Sequence, residues 1–318
     1  MIDEGICKMK TKDITLKPKK KLGISPNWEL YAMIAIPVIL LLIFKYYPML
    51  GLQIAFKRYN ASGGIWSSPW VGLYQFQKMF NTPMFKQVFF NTLKLSLYQL
   101  FAELPFTLVF SLVLNTVRTK WYQKTVQMVT YMPHFISTVI MVGILSQLLN
   151  VRVGLYGRIC SAIGIEAADL WSSPSAFPHI YVWSAIWQNV GWNSVIYLAS
   201  LASVDVSLYE SASIDGASRF KQMIHIDFPS ILPTFVILFI MRVGSLMTLG
   251  HEKALLMQND LNLSASEIIS TYSYKVGLTG TPDYSYGTAI GLFNSVINLI
   301  MIFIVNKISK KVTETSLW

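Results

Sequence analysis

The stretch that decides the fold is residues 207–233, SLYESASIDGASRFKQMIHIDFPSILP, a polar segment in an otherwise apolar chain. Ser207 and Glu210 have the spacing of a capping box, in which each residue satisfies a backbone N–H of the other. A short helix is therefore predicted to begin at Ser207. Gly216 is expected to end this helix, because glycine readily adopts the positive φ found at helix C-termini.

A second short helix is predicted directly after the first. Asp215 is placed to cap it, and Phe220, Met223 and Ile224 would lie on one side of it. Pro229 is expected to restart the chain before the next apolar run. The segment is thus predicted to form a helix, a tight turn and a second helix, presented as a knob.

This knob resembles a loop of the permease subunits of binding-protein-dependent ABC importers. The family pattern is E-A-A, three residues, G, nine residues, I, one residue and L-P, and this chain meets the spacing at every step. Ser211 and Phe228 replace the second residue and the leucine of the pattern. The resemblance implies a coupling helix that docks on a cytoplasmic ATPase through Glu210, Ser211, Ala212, Asp215, Gly216, Phe220, Ile226 and Pro229. An ordinary amphipathic interfacial helix is the alternative.

The composition is that of a polytopic membrane protein. The chain of 318 residues is 53% hydrophobic and only 13% charged, whereas about a quarter of the residues of soluble domains are charged. Residues 1–27 hold seven lysines and no apolar run, so no cleaved signal peptide is expected. Cys7 and Cys160 lie far apart and lack the spacing of metal ligands.

Six membrane spans are predicted from apolar runs of about 20 residues. They lie at about 30–50, 89–114, 125–149, 179–201, 231–249 and 288–305. The predicted fold is an all-α integral membrane protein of six transmembrane helices. It comprises a basic N-terminal tail at 1–28, a permease domain at 29–311 that contains the coupling loop 207–229, and a C-terminal tail at 312–318.

The distribution of basic residues predicts that both termini face the cytoplasm. Of the 26 Lys and Arg residues, fifteen fall in segments predicted to be cytoplasmic, eight in external segments and three within spans. This topology also places the coupling loop inside and residues 250–286 outside. The net charge of +10 does not indicate nucleic-acid binding, because aromatic residues for base stacking are missing from the basic runs.

Other motifs are similar to those of the LplB-like polysaccharide and oligosaccharide permeases. They include YMPHFIS at 131–137, IISTY at 268–272 and TAIGLF at 288–293. The resemblance implies a type I importer half in the bacterial plasma membrane that pairs with a second homologous permease as a heterodimer. It also implies two ATP-binding subunits and an extracellular solute-binding protein that delivers oligosaccharides. ATP and Mg would be held by the ATPase, with no cofactor in this chain.

A sugar path needs polar and aromatic side chains facing a cavity within the membrane. The fourth predicted span is rich in both, and the resemblance adds neighbourhoods at matching distances from Glu210. The candidate path residues are His134, Thr138, Gln188, Asn189, Trp192, Asn193, Arg242, Ser245 and Leu249. Alternatively, the amides bind helix to helix, the tryptophans form an interfacial belt, and His134 is a packed core residue.

Arg242 is the most informative of these candidates. It lies eleven residues beyond Ile231, about 16 Å along a helix and so near the middle of the predicted fifth span. A charge there needs a partner. Either Glu103 of the second span pairs with it, or its guanidinium binds a sugar carboxylate, which would make the substrate a uronate-containing oligosaccharide.

Catalytic motifs are missing from the sequence. It has no Gly-x4-Gly-Lys-Ser/Thr phosphate loop, and its four histidines lack zinc-ligand spacing. A non-catalytic permease subunit without a metal site is therefore predicted. The rival interpretations are an ion-coupled secondary transporter, for which Glu103 is the one clear intramembrane carboxylate, and a membrane-embedded enzyme.

Overall fold

The computed structural model describes residues 28–313 and 316–317, and the greater part of these residues is helical. Within these ranges the extended pairing is confined to one isolated bridge between Lys57 and Trp70. The predicted all-α class is therefore confirmed. The basic tail up to residue 27, which includes Cys7, and residues 314, 315 and 318 of the predicted C-terminal tail lie outside the described residues.

The chain divides into two compact units, Met1–Gly51 and Leu52–Trp318, and each is described by itself. In the first unit, α1 spans Trp28–Leu41 and continues through a π-helical turn at Leu42–Tyr46. A short helix, Tyr47–Met49, follows without a break, and a 3-10 helix, Leu50–Phe56, begins at the end of this unit and continues into the next. This confirms the position of the first predicted span.

Nine helices of the second unit, α2 to α10, are used in the description that follows. They are α2 (Pro83–Asn115), α3 (Lys120–Tyr131), α4 (Thr138–Leu148), α5 (Phe177–Ala202), α6 (Val206–Ile214), α7 (Arg219–Gly244), α8 (His251–Met257), α9 (Ile269–Leu278) and α10 (Tyr284–Thr313). Other helices of the second unit lie at Gly64–Ser67, Tyr74–Asn81, Met132–Phe135, Leu155–Ala162 and Leu263–Ser266.

Four helical segments of the described residues are long and apolar enough to cross a membrane. They are Trp28–Phe56, Pro83–Asn115, Arg219–Gly244 and Tyr284–Lys311, and the bent pair α3 and α4 makes five if counted as one span. The predicted fourth span corresponds to α5, whose 26 residues reach about 39 Å. Because amides such as Gln188, Asn189 and Asn193 interrupt its apolar sequence, α5 does not pass the same test, and the count of six stays a prediction.

The third predicted span is not one straight helix. Instead α3 and α4 meet at an angle of 101°, separated by the 3-10 turn Met132–Phe135. Pro133 accounts for the break, because proline lacks the N–H that a continuing helix needs and its ring clashes with the preceding turn. Ser137 then caps α4 by accepting a hydrogen bond from the backbone N–H of Ile140, at 3.4 Å.

The fifth predicted span was placed too far along the chain. The structure has a single helix, α7, that begins at Arg219 inside the predicted knob and ends at Gly244. The second knob helix is therefore not separate from the span, and Pro229 and Pro233 lie within α7 without ending it. Arg242 consequently lies in the last turn of the helix and not near its middle.

Part of the core of the second unit is formed where α2, α5 and α7 pack together. Leu108, Tyr197 and Ile231 are buried together in one cluster, and Leu104 and Val243 in another. In a membrane this packing relies on close van der Waals contact, since lipid tails are as apolar as leucine. These three helices bring the polar side chains described next into contact.

Candidate functional site

The predicted coupling loop has the expected turn but different caps. Gly216 has a φ of +72° and follows the C-cap of α6, which confirms its predicted role in ending the helix. The N-cap of α6 is Asp205, whose carboxylate accepts from the N–H of Ser207 at 2.9 Å. Ser218 caps α7. The predicted caps at Ser207 and Asp215 are therefore wrong, because the helices begin after Asp205 and Ser218, which are equally suitable caps.

The loop displays apolar side chains on its surface. Ile214 is 87% exposed and Phe220 is 65% exposed, and Glu210 is exposed as well. A cavity of about 340 Å3 is lined by Ala212, Ala217, Lys221, Gln222, His225 and Ile226. Ile214 is thus exposed outside the helices that are long and apolar enough to cross a membrane, whereas Phe220 lies at the start of α7.

Two contacts tie the loop to the rest of the second unit. The Arg219 guanidinium donates to the carbonyl of Thr116, just beyond the end of α2, at 2.9 Å. The Tyr209 hydroxyl donates to the buried carboxylate of Asp227. Burial, followed by the bond to Asp227, raises the pKa of Tyr209, so this hydroxyl keeps its proton and the bond at physiological pH.

Glu103 is the centre of a buried polar cluster. Its Oε1 accepts from Arg242 Nη2 and from Asn193 Nδ2, both at 2.8 Å, and its Oε2 accepts from Gln99 Nε2 at 2.9 Å. The residue is 4% exposed. Three hydrogen bonds, one from a cation, supply the compensation that a buried carboxylate requires. Of the two partners considered for Arg242 in the sequence, the structure therefore confirms Glu103.

Arg242 keeps part of its guanidinium available. Its side chain is 45% exposed, and among the described residues one carboxylate oxygen of Glu103 is its side-chain hydrogen-bond acceptor. It faces a cavity of about 150 Å3 whose other polar lining residues are Ser96, Gln99, Glu103, Ser245 and Thr248. Since a guanidinium carries five donor hydrogens, a second anion could be bound on its open side.

His134 lies in a second polar group, between α3 and α5. Its ring is stacked on Trp192 with a centroid distance of 4.7 Å and an interplanar angle of 3°. Nδ1 of His134 is 2.9 Å from the side-chain oxygen of Asn189. Gln188 donates to the carbonyl of Ile136 at 2.9 Å. These bonds hold the broken segment against α5.

The remaining predicted path residues, Thr138, Ser245 and Leu249, lie in three different environments. Thr138 is the first residue of α4, and the hydroxyl of Ser245 donates to carbonyls of its own chain segment, at 3.3 and 3.2 Å. Leu249 is 8% exposed and belongs to a hydrophobic cluster, although it also lines the Arg242 cavity. The structure thus joins Asn193 to Arg242 through Glu103, and His134 to Asn189 and Trp192.

Sequence reasoning missed Gln99, Ser96 and Thr248 as cavity residues. Gln99 and Glu103 are one helical turn apart in the apolar helix α2, and this i, i+4 spacing of two polar residues could have indicated the site.

Sequence reasoning also missed Lys253, which is 8% exposed and donates to the carbonyl of Tyr181 at 2.7 Å. Burial lowers the pKa of Lys253 to about 7, while the charge of Glu103 acts in the opposite direction.

Comparison with known proteins decides the family. The model of the binding-protein-dependent transport system inner membrane component matches residues 103–314. The chain belongs to this family. Permeases of this kind are the non-catalytic membrane subunits of ABC transporters, in which the ATPase is a separate subunit. Within residues 28–313 no three His, Cys, Asp or Glu side chains are grouped as metal ligands would be.

The relatives of this permease lie in a branch of sugar permeases. The chain is similar to Protein LplB of Bacillus subtilis (strain 168), with 40% identity over 289 residues and 91% of each chain covered. It is 38% identical to the polygalacturonan/rhamnogalacturonan transport system permease protein YteP of the same organism, over 91% of this chain and 90% of YteP.

A solved structure supports the same fold. This is a bacterial alginate ABC transporter, in complex with a periplasmic protein that carries an alginate pentasaccharide. One of its chains has a TM-score of 0.85 and 36% identity to this permease, covering 92% of this chain and 98% of that chain. The predicted type I importer permease fold is therefore confirmed.

Proposed function

We propose that this permease takes up acidic, uronate-containing oligosaccharides that an extracellular solute-binding protein delivers. The observation that carries the proposal is the half-exposed guanidinium of Arg242, fixed on one side by the buried carboxylate of Glu103 and open on the other to a polar cavity. A bidentate guanidinium suits a sugar carboxylate, and hydroxyl groups in the lining suit the ring hydroxyls.

Two relatives support an acidic substrate. The similar crystal structures belong to a transporter of alginate, which is described as an acidic polysaccharide. YteP is named for the transport of polygalacturonan and rhamnogalacturonan. Polymers of this kind carry carboxylates, so a fixed cation in the path of the present chain matches their chemistry.

Energy for transport is proposed to come from two separate ATP-binding subunits, which would hold ATP and Mg. They would dock on the loop that displays Ile214 and Phe220. Because α7 runs without interruption from Arg219 to Gly244, a movement imposed on the loop would reach Arg242 about 35 Å away through one helix. The coupling residues and the cavity would thereby be connected mechanically.

The proposed assembly includes a second homologous permease as the heterodimer partner. It lies in the bacterial plasma membrane with both termini on the cytoplasmic side, which the excess of Lys and Arg in the predicted cytoplasmic segments supports. Residues 250–286 would then face the binding protein. The substrate path is proposed to include His134, Thr138, Gln188, Asn189, Trp192, Asn193, Ser245 and Leu249 along with Arg242.

Purification in a gentle detergent tests this assembly. We expect an ATPase and a second permease to copurify with the chain, and we expect the reconstituted complex to require ATP for uptake of an oligogalacturonide. A chain that purifies alone and drives uptake with a proton gradient would contradict the proposal. An assembled complex that transports neutral oligosaccharides only would preserve the importer and eliminate the acidic substrate.

A further inference from the structure

A second cavity, of about 470 Å3, lies against α9 and the N-terminal half of α10. Its volume is within the range of small-molecule sites, about 300–1,000 Å3. No charged side chain is among the described residues that line it. Its polar and aromatic lining includes Ser270, Ser273, Tyr274, Tyr284, Thr288 and Asn294. Such a cavity suits an uncharged ligand with many hydroxyl groups.

The lysines beside this cavity already have partners, and that of Lys253 is the carbonyl of Tyr181. Lys275 lies 3.1 Å from Glu267, and Lys78 lies 2.8 Å from Asp283. An anionic ligand would therefore be buried without a free cation to compensate its charge, which is costly. This distinguishes the cavity from that of Arg242.

Three residues that line the cavity each hold a buried polar atom without a hydrogen-bond partner among the described residues. These atoms are Nε2 of His251, Oγ of Ser270 and Oδ1 of Asn294. Leaving such an atom unsatisfied costs about 1–3 kcal/mol, and buried polar groups normally have partners. Because these atoms are covered by their neighbours, a ligand in the cavity reaches them only after the side chains rotate. A sugar hydroxyl, which both donates and accepts, then suits each of them, whereas a carboxylate cannot donate to Asn294.

Aromatic rings supply the apolar part of the cavity. His251 and Tyr274 pack edge to face with centroids 4.9 Å apart, and Tyr284 packs in the same way on Tyr59 at 5.6 Å. Rings fixed in this manner present flat apolar surface beside polar groups. One face of a pyranose ring is similarly apolar, and its rim carries hydroxyl groups.

The second cavity adjoins the cavity of Arg242 along the chain. Gly250 lines the first cavity, and its neighbour His251 lines the second. Gly277 and Gly287 bring α9 and α10 into backbone contact, since a Cβ on Gly287 would lie 2.9 Å from the Cα of Gly277. At Gly291, by contrast, a Cβ would meet nothing within 4 Å, so the space there is open.

From this arrangement we propose that the second cavity is a subsite for an uncharged sugar ring of the oligosaccharide whose carboxylate Arg242 binds. The inference rests on the proposed function and extends it. It assigns the permease to mixed oligosaccharides, in which uronate and neutral rings both occur. A chain of uronate rings alone would use the Arg242 cavity and leave the second cavity without its preferred ligand.

Replacing Gly291→Leu tests this inference, because the new side chain fills open space in the cavity. Gly143→Leu is the matched control, since Gly143 also lies in a helix, has nothing within 4 Å of its Cβ and does not line either cavity. Both variants are assayed in the reconstituted complete transporter. The probes are an oligogalacturonide and an oligosaccharide of alternating galacturonate and rhamnose, matched in length.

We expect Gly291→Leu to reduce uptake of the alternating probe by about tenfold and uptake of the oligogalacturonide by less than about twofold. Gly143→Leu should leave both unchanged. Equal effects of Gly291→Leu on the two probes would overturn the subsite. Loss of the second permease from the purified Gly291→Leu complex would also overturn it, by assigning the cavity to a subunit contact. If the unmodified transporter carries neither probe, the proposed function itself fails.

Discussion

The coupling loop and the Glu103 cluster are built in opposite ways. The loop joins residues that are close in sequence, and its apolar side chains, such as Ile214, are exposed. The Glu103 cluster joins Gln99, Asn193 and Arg242, the last 139 positions away, around a carboxylate that is 4% exposed. The turn and the exposed side chains of the loop can thus be read from a contiguous motif, whereas a buried polar cavity depends on how helices pack.

Removing the centre of the cluster should have the largest effect. Glu103→Leu leaves Arg242, Gln99 and Asn193 without their shared acceptor. Breaking a fully buried pair costs about 3–5 kcal/mol, and we expect about 2–4 kcal/mol here because Arg242 is half exposed. Chemical or thermal unfolding of the purified transporter measures the loss.

Glu103→Gln is the control for this change. It preserves the size of the side chain and one of its two oxygens, so it should lose less stability than Glu103→Leu. If the two variants were as stable as the wild type, the cluster would not contribute to the packing of α2, α5 and α7.

Altering the turn of the coupling loop should affect function more than folding. Gly216 has a φ of +72°, and a Cβ there would meet nothing within 4 Å, so Gly216→Val introduces backbone strain without a clash. The expected strain is about 1–2 kcal/mol, confined to the loop. We expect ATP-driven uptake to fall about tenfold while the unfolding temperature of the complex falls by only about 2–4 °C.

Asparagine tolerates the left-handed conformation, so Gly216→Asn should retain most of the uptake. The comparison of the two variants separates backbone conformation from the mere addition of a side chain. Normal coupling of ATP hydrolysis to uptake in Gly216→Val would show that the turn does not position a docking surface.

Lys253 should make a smaller contribution to stability, and this contribution should depend on pH. Burial lowers its pKa from 10.5 to about 7, so the unfolded chain binds more protons than the folded one between these values. Its contribution to stability therefore increases as the pH rises through this window. Lys253→Met removes this titration.

The measurement is the difference in unfolding temperature between Lys253→Met and the wild type, taken at several pH values. We expect the wild type to gain stability relative to the variant from about pH 6.5 to about pH 9. A difference that stays constant over this range would mean that the lysine is equally protonated in the folded and unfolded states.

The sequence predicts the loop well because the turn at Gly216 is determined locally. The caps were wrong, since Asp205 and Ser218 are cap-forming residues as well, each starts its helix at a different residue from Ser207 or Asp215, and sequence spacing does not rank them. The bend of 101° at Pro133 was also not expected, because an apolar run gives length but not direction.

The cavity beside Arg242 could be predicted from the sequence only in part. The polar residues of α5 and the pairing of Arg242 with Glu103 follow from the cost of polar groups in hydrocarbon. The position of Arg242 in the last turn of α7 could not be predicted in this way, because the helix was expected to begin at residue 231, whereas it begins at Arg219. The second cavity depends on the packing of α9 on α10, which no local pattern indicates.

The central claim is that Arg242 binds a sugar carboxylate, and one uptake experiment tests it most directly. An acidic oligosaccharide and the same compound with its carboxyl groups reduced to alcohols are compared in the wild type and in Arg242→Gln. We expect the wild type to take up the acidic compound about tenfold faster or more, because a hydrogen bond to a charged group contributes about 1.5–3 kcal/mol. Arg242→Gln should abolish this preference. An Arg242→Gln transporter that lost uptake of both compounds by the same factor would contradict the account.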